Sequence, residues 1–374
     1  MIQFDPEFLD KVKYETPFFI FSKKKIINNY KTFEKLFPKA HIFYAMKANF
    51  EPEILKILSD EGSGFEVASM YELDMLKAAK VPPEKIIYGT SVKPLSHIKS
   101  FHEYGVTKFA FDSLGELEKI AAAAPGASVY VRTIVNDSAS VFKFSEKFGT
   151  DMRHIAGLLH TAADLGLDPY GISFNVGSQS SNLKAWGDAI CELVPIIKEL
   201  DEAGIRIKAI NIGGGFPCQY GSSQIVPELI DIAEYTASCL KKLPYEVDVM
   251  MEPGRGIVGN TGLLITSVIA RVQKDHNTWL FLDAGVFNAL FEALAYQGST
   301  RYPISCTRTK YDVGEKLFAL AGPTGDSTDI ITREALLPKD IDVGDRVIIH
   351  NVGAYTLTAS SNFNGFPKPS VYYI

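Results

Sequence analysis

At 374 residues the chain is longer than one hydrophobic core usually organises, so two structural units are expected. With 46% apolar and 22% charged residues it has the balance of an ordinary folded protein, which excludes disordered and fibrous classes. A net charge of -6 without a Lys/Arg stripe offers no field for neutralising a phosphate backbone, so nucleic-acid binding is not expected.

The chain opens on MIQFDPEFLDKVKYETP, with acids where a signal peptide would carry a basic stretch and an apolar core. No apolar run approaches membrane-spanning length, so a cytoplasmic protein with no membrane partner is expected. PFFIFS follows; it either joins a later β-domain or leads into the first repeat. From about residue 40 to 255, β-branched and aromatic runs alternate with amphipathic stretches, the pattern of βα units around a parallel sheet. The strand candidates are HIFYAM (41–46), GSGFEVAS (62–69), KIIYGT (85–90), KFAFDS (108–113), SVYVRT (128–133), YGISFNVGS (170–178), KAINIGGG (208–215) and VDVMMEPG (247–254). About eight such strands close a TIM-type (β/α)8 barrel. Segments such as PEILKILSDEG, GELEKIAAAAPG and AWGDAICELVPIIKELDEAG, with apolar residues at i, i+3 and i+4, supply the outer helices. The stretch after Arg132 is longer than the others and holds both polar text and a helix, which predicts an insertion over the barrel mouth. Beyond residue 256 come LLITSVIARVQ, TWLFLDAG, KLFALAGP, DRVIIHNVG and PSVYYI without long helices between them, a β-domain. The expected division is a barrel over 19–255 and a C-terminal β-domain over 256–374, with residues 1–18 open to inclusion in the latter.

Cys191, Cys218, Cys239 and Cys306 show no C-x-x-C spacing, so free thiols are expected rather than a zinc site or a disulfide framework. The seven histidines form no H-x-x-x-H or H-E-x-x-H pair, and no metal is expected.

Reactive residues of a TIM-type barrel cluster at the C-terminal strand ends. There this chain has Lys47, Glu66, Arg132, Asn175 to Ser178, Gly213-Gly214-Gly215 and Glu252-Pro-Gly-Arg255. Lys47 reads either as a solvated lysine or as an amine whose confinement lowers its pKa and favours a Schiff base. The triple glycine is either a tight turn or a cradle whose backbone N–H groups approach a phosphate. Glu252 and Arg255 form either a structural ion pair or the partners of a protonated ring nitrogen and a phosphate. Taken together they match the needs of a pyridoxal 5'-phosphate (PLP) site: an aldehyde anchor, a phosphate anchor and a pyridinium partner.

Across nearly the whole chain, YAMKAN, GSGFEVASMYEL, VRTIVNDSASVFKFSEKFG, GISFNVGSQ, INIGGGFP, MEPGR, AGPTGDSTD, VGAYT and FNGFPKPSVYY resemble the PLP-dependent decarboxylases of ornithine, lysine, arginine and diaminopimelate. The last four motifs sit closer to the ornithine branch, and the resemblance implies an alanine-racemase-like barrel plus a β-domain. It further implies that Lys47 carries the cofactor, that Glu252 pairs with the pyridine nitrogen, and that Ser178, Gly213 to Gly215, Arg255 and Tyr355 hold the phosphate. Glu66, Glu72 and Arg132 match family residues lining the cofactor. A homodimer with shared active sites is implied, each site receiving the Gly325-Asp326 loop from the neighbouring subunit, with Asp326 a catalytic and substrate-binding residue.

Three positions depart from the family pattern. Asn175 stands where the family stacks a histidine on the cofactor ring, and an amide cannot carry imidazole's positive charge. Gly325 stands where family decarboxylases have a proton-donating cysteine, and Gln297, after Tyr296, stands where ornithine enzymes hold the distal amine with an aspartate. With nearby Arg301, Gln297 suits an amide or carboxylate, so the expected reaction is α-decarboxylation of an amino acid or derivative other than plain ornithine. The alternatives are decarboxylative transamination or oxidation, racemisation on the same scaffold, and a non-catalytic regulatory relative.

Overall fold

A computed structural model describes residues 14–221, 225–274, 276–296, 302–307 and 314–374. They divide into two compact units: residues 27–217 with 225–256, and the described parts of 1–26, 218–224 and 257–374.

Strand β1 (Phe18–Phe21) belongs to the second unit, and helix α1 (Lys23–Leu36) follows it. The first unit then alternates β2 (Ala40–Ala45), α2 (Pro52–Asp60), β3 (Gly64–Val67), α3 (Met70–Ala78), β4 (Ile86–Tyr88), α4 (Leu95–Tyr104), β5 (Lys108–Phe111), α5 (Leu114–Ala123) and β6 (Ser128–Thr133). After β7 (Ser140–Phe142) and α6 (Ile155–Asp164) come β8 (Asp168–Phe174), β9 (Ser178–Ser180), α7 (Ala185–Glu202), β10 (Ala209–Asn211), α8 (Leu229–Leu240) and β11 (Asp248–Met251). Eight of these strands close a barrel in the order β10-β11-β2-β3-β4-β5-β6-β8, each of the eight expected from sequence. The pairs are parallel, and the helices lie between them in sequence, as a βα repeat requires.

Why polar groups gather at one end follows from strand alternation. Phe43, Ile87, Ala209 and Met250 pack together inside the barrel, with half-buried Tyr170 against them. Each such large apolar side chain, once buried, contributes roughly 1.5–3 kcal/mol. Side chains repeat their direction every second residue, so Ala45, Asn211 and Glu252 face the same interior one layer nearer the C-terminal mouth. The layer below is therefore mainly apolar, and the layer above carries chemistry. The segment after Arg132 adds β7, which pairs antiparallel with β9 just beyond the end of β8. The expected insertion thus reaches the mouth side of the barrel.

In the second unit, β12 (Gly262–Lys274), β13 (Asn277–Leu282), β14 (Ile304–Cys306), β15 (Glu315–Ala321), β16 (Ile330–Pro338) and β17 (Arg346–His350) run in the order β14-β17-β12-β13-β15-β16. β12 pairs with β17 over its first half and β13 over its second, with a register shift between Val268 and Ala270. β1 pairs antiparallel with β12 and parallel with β18 (Ser370–Tyr373), which places PFFIFS in this sheet. Phe18, Ile20, Leu263, Ile265 and Ile348 form its apolar cluster. β16 escaped the sequence reading because Arg333 and Glu334 interrupt the alternation of IITREALLP, and its pairing with β15 is correspondingly shifted in register. Among the described residues no helix is long and apolar enough to cross a membrane.

Candidate active site

Lys47 follows β2 in a single 3-10 turn between buried Met46 and Ala48. Its Nζ donates to Glu66 Oε2 at 2.5 Å, and the Glu66 side chain is only 3% exposed. Glu66 stands level with Ala45 across the β2–β3 pair, two residues before Lys47, so strand register makes this contact. Of the two sequence readings of Lys47, a solvated lysine and a confined amine, the structure matches neither alone: its side chain is 44% exposed and ion-paired to a buried carboxylate. Glu72 lies in the first turn of α3. Ser69 caps that helix by accepting from the Glu72 N–H at 3.3 Å, and Glu72 Oε2 accepts from the Ala68 N–H at 2.6 Å, an arrangement close to a capping box. Burial pushes the Glu72 carboxyl up to about 7, against the pull of the Ala68 N–H, and the Glu66 charge adds to the rise.

Glu252 continues the inner face of β11. Asn211 Nδ2 donates to its Oε1 at 2.6 Å, and its own N–H donates to the Gly213 carbonyl at 2.8 Å. Burial is the main reason its carboxyl is pushed up to about 7, and the neighbouring Glu66 charge raises it further; Lys47, Asn211 and Arg132 pull the other way. Arg132, at the end of β6, lies with its guanidinium 5.0 Å from the Phe148 ring centroid, and burial lowers its pKa while Glu252, Glu66 and Asp112 oppose that. The mouth thus holds three carboxyls, Glu66, Glu72 and Glu252, against Lys47 and Arg132. Two of the three resist ionisation, so the cluster favours an added cation.

The glycine run stands at the end of β10. Gly213 and Gly215 adopt φ of +66° and +94°, and a Cβ on Gly213 would lie 2.2 Å from the Phe174 carbonyl, one on Gly215 2.5 Å from the Gly177 carbonyl. Only glycine fits at these two positions, where the backbone packs directly against neighbouring carbonyls, and the Gly213 N–H donates to Asn211 Oδ1 at 3.0 Å. Arg255 is 3% exposed and donates from Nε and Nη2 to Ser178 Oγ at 3.3 and 3.1 Å. A buried guanidinium, a hydroxyl and side-chain-free backbone at the same end of the barrel form a donor set suited to a phosphate dianion. Asn175 turns its Oδ1 to the Gly177 N–H at 3.0 Å, and its Cβ borders Gly213.

The structure therefore brings together Lys47, Glu66, Glu72, Arg132, Asn175, Ser178, Gly213, Gly214, Gly215, Glu252 and Arg255 in one unit. Gly325, Asp326 and Tyr355 lie in the other unit, and Gln297 and Arg301 lie outside the described residues. Gly325 N–H donates to Asn364 Oδ1 at 3.2 Å. Asp326 accepts from Thr328 Oγ1 at 2.6 Å and N–H at 2.8 Å, bonds that hold its carboxyl below the usual range. Tyr355 has a left-handed φ of 56°. Sequence reading missed Asn211, whose signal was a polar residue interrupting the apolar KAINI run at an inward position. It also missed Trp186, whose Nε1 donates to the Gly214 carbonyl at 3.0 Å and whose ring stacks on Phe216.

The residues present fit PLP: the cluster lacking positive charge suits a protonated ring nitrogen, and the glycine cradle with Arg255 and Ser178 suits its phosphate. Residues 23–259 match the family model for the pyridoxal-dependent decarboxylase, pyridoxal binding domain. The lysine/ornithine decarboxylase of Selenomonas ruminantium is 35% identical, covering 94% of this chain and 88% of that protein. Antizyme inhibitor 2 of Xenopus laevis is 32% identical over 95% of this chain and 80% of that protein. The crystal structure of the Paramecium bursaria Chlorella virus arginine decarboxylase bound to agmatine superposes with a TM-score of 0.91 at 27% identity, covering 98% of each chain.

Proposed function

This chain belongs to the pyridoxal-dependent decarboxylases and is a PLP-dependent amino-acid carboxy-lyase; we propose that it removes the α-carboxylate of an amino acid or amino-acid derivative other than plain ornithine. The observation that carries the reading is the convergence of Lys47, Glu252 and the Gly213–Gly215/Arg255 cradle at one end of the barrel. When bound, PLP supplies an electron sink for the pair released as CO2 departs.

Lys47 would anchor the cofactor aldehyde, with Glu66 holding the amine in place. Glu252, oriented by Asn211, would keep a proton on the pyridine nitrogen. Ser178, Gly213, Gly214, Gly215, Arg255 and Tyr355 would hold the phosphate. Glu72 and Arg132 would line the ring, and Asn175 would meet its face as an uncharged amide. Gln297, Arg301, Gly325 and Asp326 would meet the substrate, Asp326 through a carboxylate kept ionised by Thr328. The barrel, which the sequence reading bounded at 19–255 and whose compact unit is 27–217 with 225–256 because β1 pairs with β12 and β18, would bind the cofactor, and the β-unit would bring the substrate loop. We assign the protein to the cytoplasm as a homodimer with shared sites.

Gly325 favours a second reading, because a residue without a side chain cannot deliver a proton to the substrate carbon. Decarboxylative transamination or oxidation would then follow, with racemisation a further outcome on this scaffold. Retention of Lys47, Glu252 and the cradle speaks for chemistry rather than a purely regulatory role. Mass spectrometry of products from a panel of basic, acidic and amidated amino acids separates these readings. Loss of CO2 with the amine retained supports decarboxylation, carbonyl products support the second reading, and no turnover on any member overturns both.

A further inference from the structure

Helices α7 and α8, on the outside of the barrel, carry a pair of thiols that the reaction does not use. Gly187 brings them close: a Cβ there would lie 2.6 Å from the Tyr235 ring and 3.0 Å from Cys239 Sγ. Cys191 sits one turn beyond Gly187 on the same face of α7, the face that packs on α8 beside Cys239. Lys242, just past the end of α8, donates from Nζ to Cys191 Sγ at 3.4 Å. Tyr235 closes the other side of the group, its hydroxyl donating to Asp188 Oδ1 at 2.7 Å. The two sulfurs differ in environment. Cys191 is partly exposed, whereas Cys239 is buried, and its thiol is pushed up by that burial and by Cys191 beside it. An ammonium stands against the partly exposed sulfur, and the buried thiol lies behind it. That is the division of labour between an attacking and a resolving cysteine.

We propose that Cys191 and Cys239 are a hydroperoxide-oxidised, reversible dithiol site, with Cys191 the peroxidatic and Cys239 the resolving residue. The Cys191 thiolate attacks the O–O bond; an S–O bond forms, the O–O bond breaks, and the departing alkoxide or hydroxide takes up a proton from solvent. The Cys239 thiol then attacks the Cys191 sulfur. An S–S bond forms, the S–O bond breaks, and water leaves carrying the Cys239 proton. Two thiols lose two electrons, and the hydroperoxide is reduced to alcohol or water. A dithiol reductant reverses the link. The closed loop runs from 191 to 239 and includes β10 with the Gly213–Gly215 run, so oxidation tethers the two helices that flank the phosphate cradle.

The test uses the full-length holoenzyme treated with hydrogen peroxide, quenched by an alkylating agent and mapped by mass spectrometry without reduction. A Cys191–Cys239 linked peptide, about 2 Da below the sum of its free halves and released by dithiothreitol, is expected. Cys239→Ser, or Cys239→Ala should the serine variant misfold, should accumulate a dimedone-reactive sulfenic acid on Cys191. Lys242→Gln should slow alkylation of Cys191 severalfold. A wild-type chain in which Cys218 or Cys306 is oxidised first, or in which Cys191 is oxidised with no link to Cys239, overturns the proposal. An unchanged alkylation rate in Lys242→Gln overturns the role given to the ammonium.

Discussion

Glu252→Gln should act in opposite directions on the cofactor-free fold and on turnover. Lifting the carboxyl from its ordinary 4.5 to about 7 corresponds to about 3 kcal/mol of disfavoured charge, an upper bound because the mouth retains some solvent access. In the unfolded chain Glu252 ionises near 4.5; in the folded cofactor-free chain it does so near 7. Between these values the folded state binds the extra proton, so stability falls as pH rises and the full cost is present above about 7. Glutamine keeps an acceptor for Asn211 and has no charge to disfavour. Urea unfolding of PLP-stripped protein should therefore show the variant equal to wild type near pH 4.5 and more stable by up to about 3 kcal/mol at pH 8. With PLP bound, the same variant should retain the cofactor but lose on the order of 10²-fold in kcat, because an uncharged partner no longer holds the ring proton. A stability difference independent of pH would refute the crowded-carboxyl argument, and near-normal turnover would make Glu252 structural.

The holoenzyme should be yellow, and borohydride should fix the cofactor on Lys47; peptide mapping that finds the reduced adduct on another lysine would overturn that assignment. Mixing inactive Lys47→Ala with inactive Asp326→Ala subunits should restore up to about a quarter of wild-type activity if sites are shared, since half the dimers are mixed and each has one intact site. Absence of recovery despite demonstrated exchange counts against a shared site. A Cβ at Gly325 meets no atom within 4 Å and the backbone there is not left-handed, so Gly325→Cys should fold and bind PLP normally. It should raise the ratio of amine to carbonyl product, alone or with Asn175→His; an unchanged ratio in both variants would show that position 325 does not direct the proton.

The barrel was legible because each of its strands repeats one physical requirement. A largely apolar run of three to seven residues, flanked by a turn and an amphipathic helix, has few places to go other than a parallel sheet covered on its outer face. The β-unit was less legible, and the reason lies in irregularity. β12 changes partners at a shift near Val268, β15 and β16 slip against each other twice, and β14 has only three residues, so no clean period of two survives in the text.

At the site, residue types at strand ends were legible, but their partners were not. That Lys47 meets Glu66 depends on register between β2 and β3, which sequence spacing does not specify. Asn211 faces Glu252 because β10 and β11 are adjacent in the barrel with Asn211 level with Met250, although 41 residues separate the two side chains. These long-range pairings change the chemistry inferred for each group. Lys47 is an ion-paired, partly exposed amine, and Glu252 is a carboxyl whose ionisation burial and the Glu66 charge disfavour. A site built this way resists ionisation until a cation arrives. The charge missing from the protein is the one that a protonated pyridine brings, so the same crowding that weakens the cofactor-free fold strengthens the preference for cofactor. Replacing Glu66 with glutamine should relax both at once, because Glu66 is the neighbouring charge that raises Glu72 and Glu252 together.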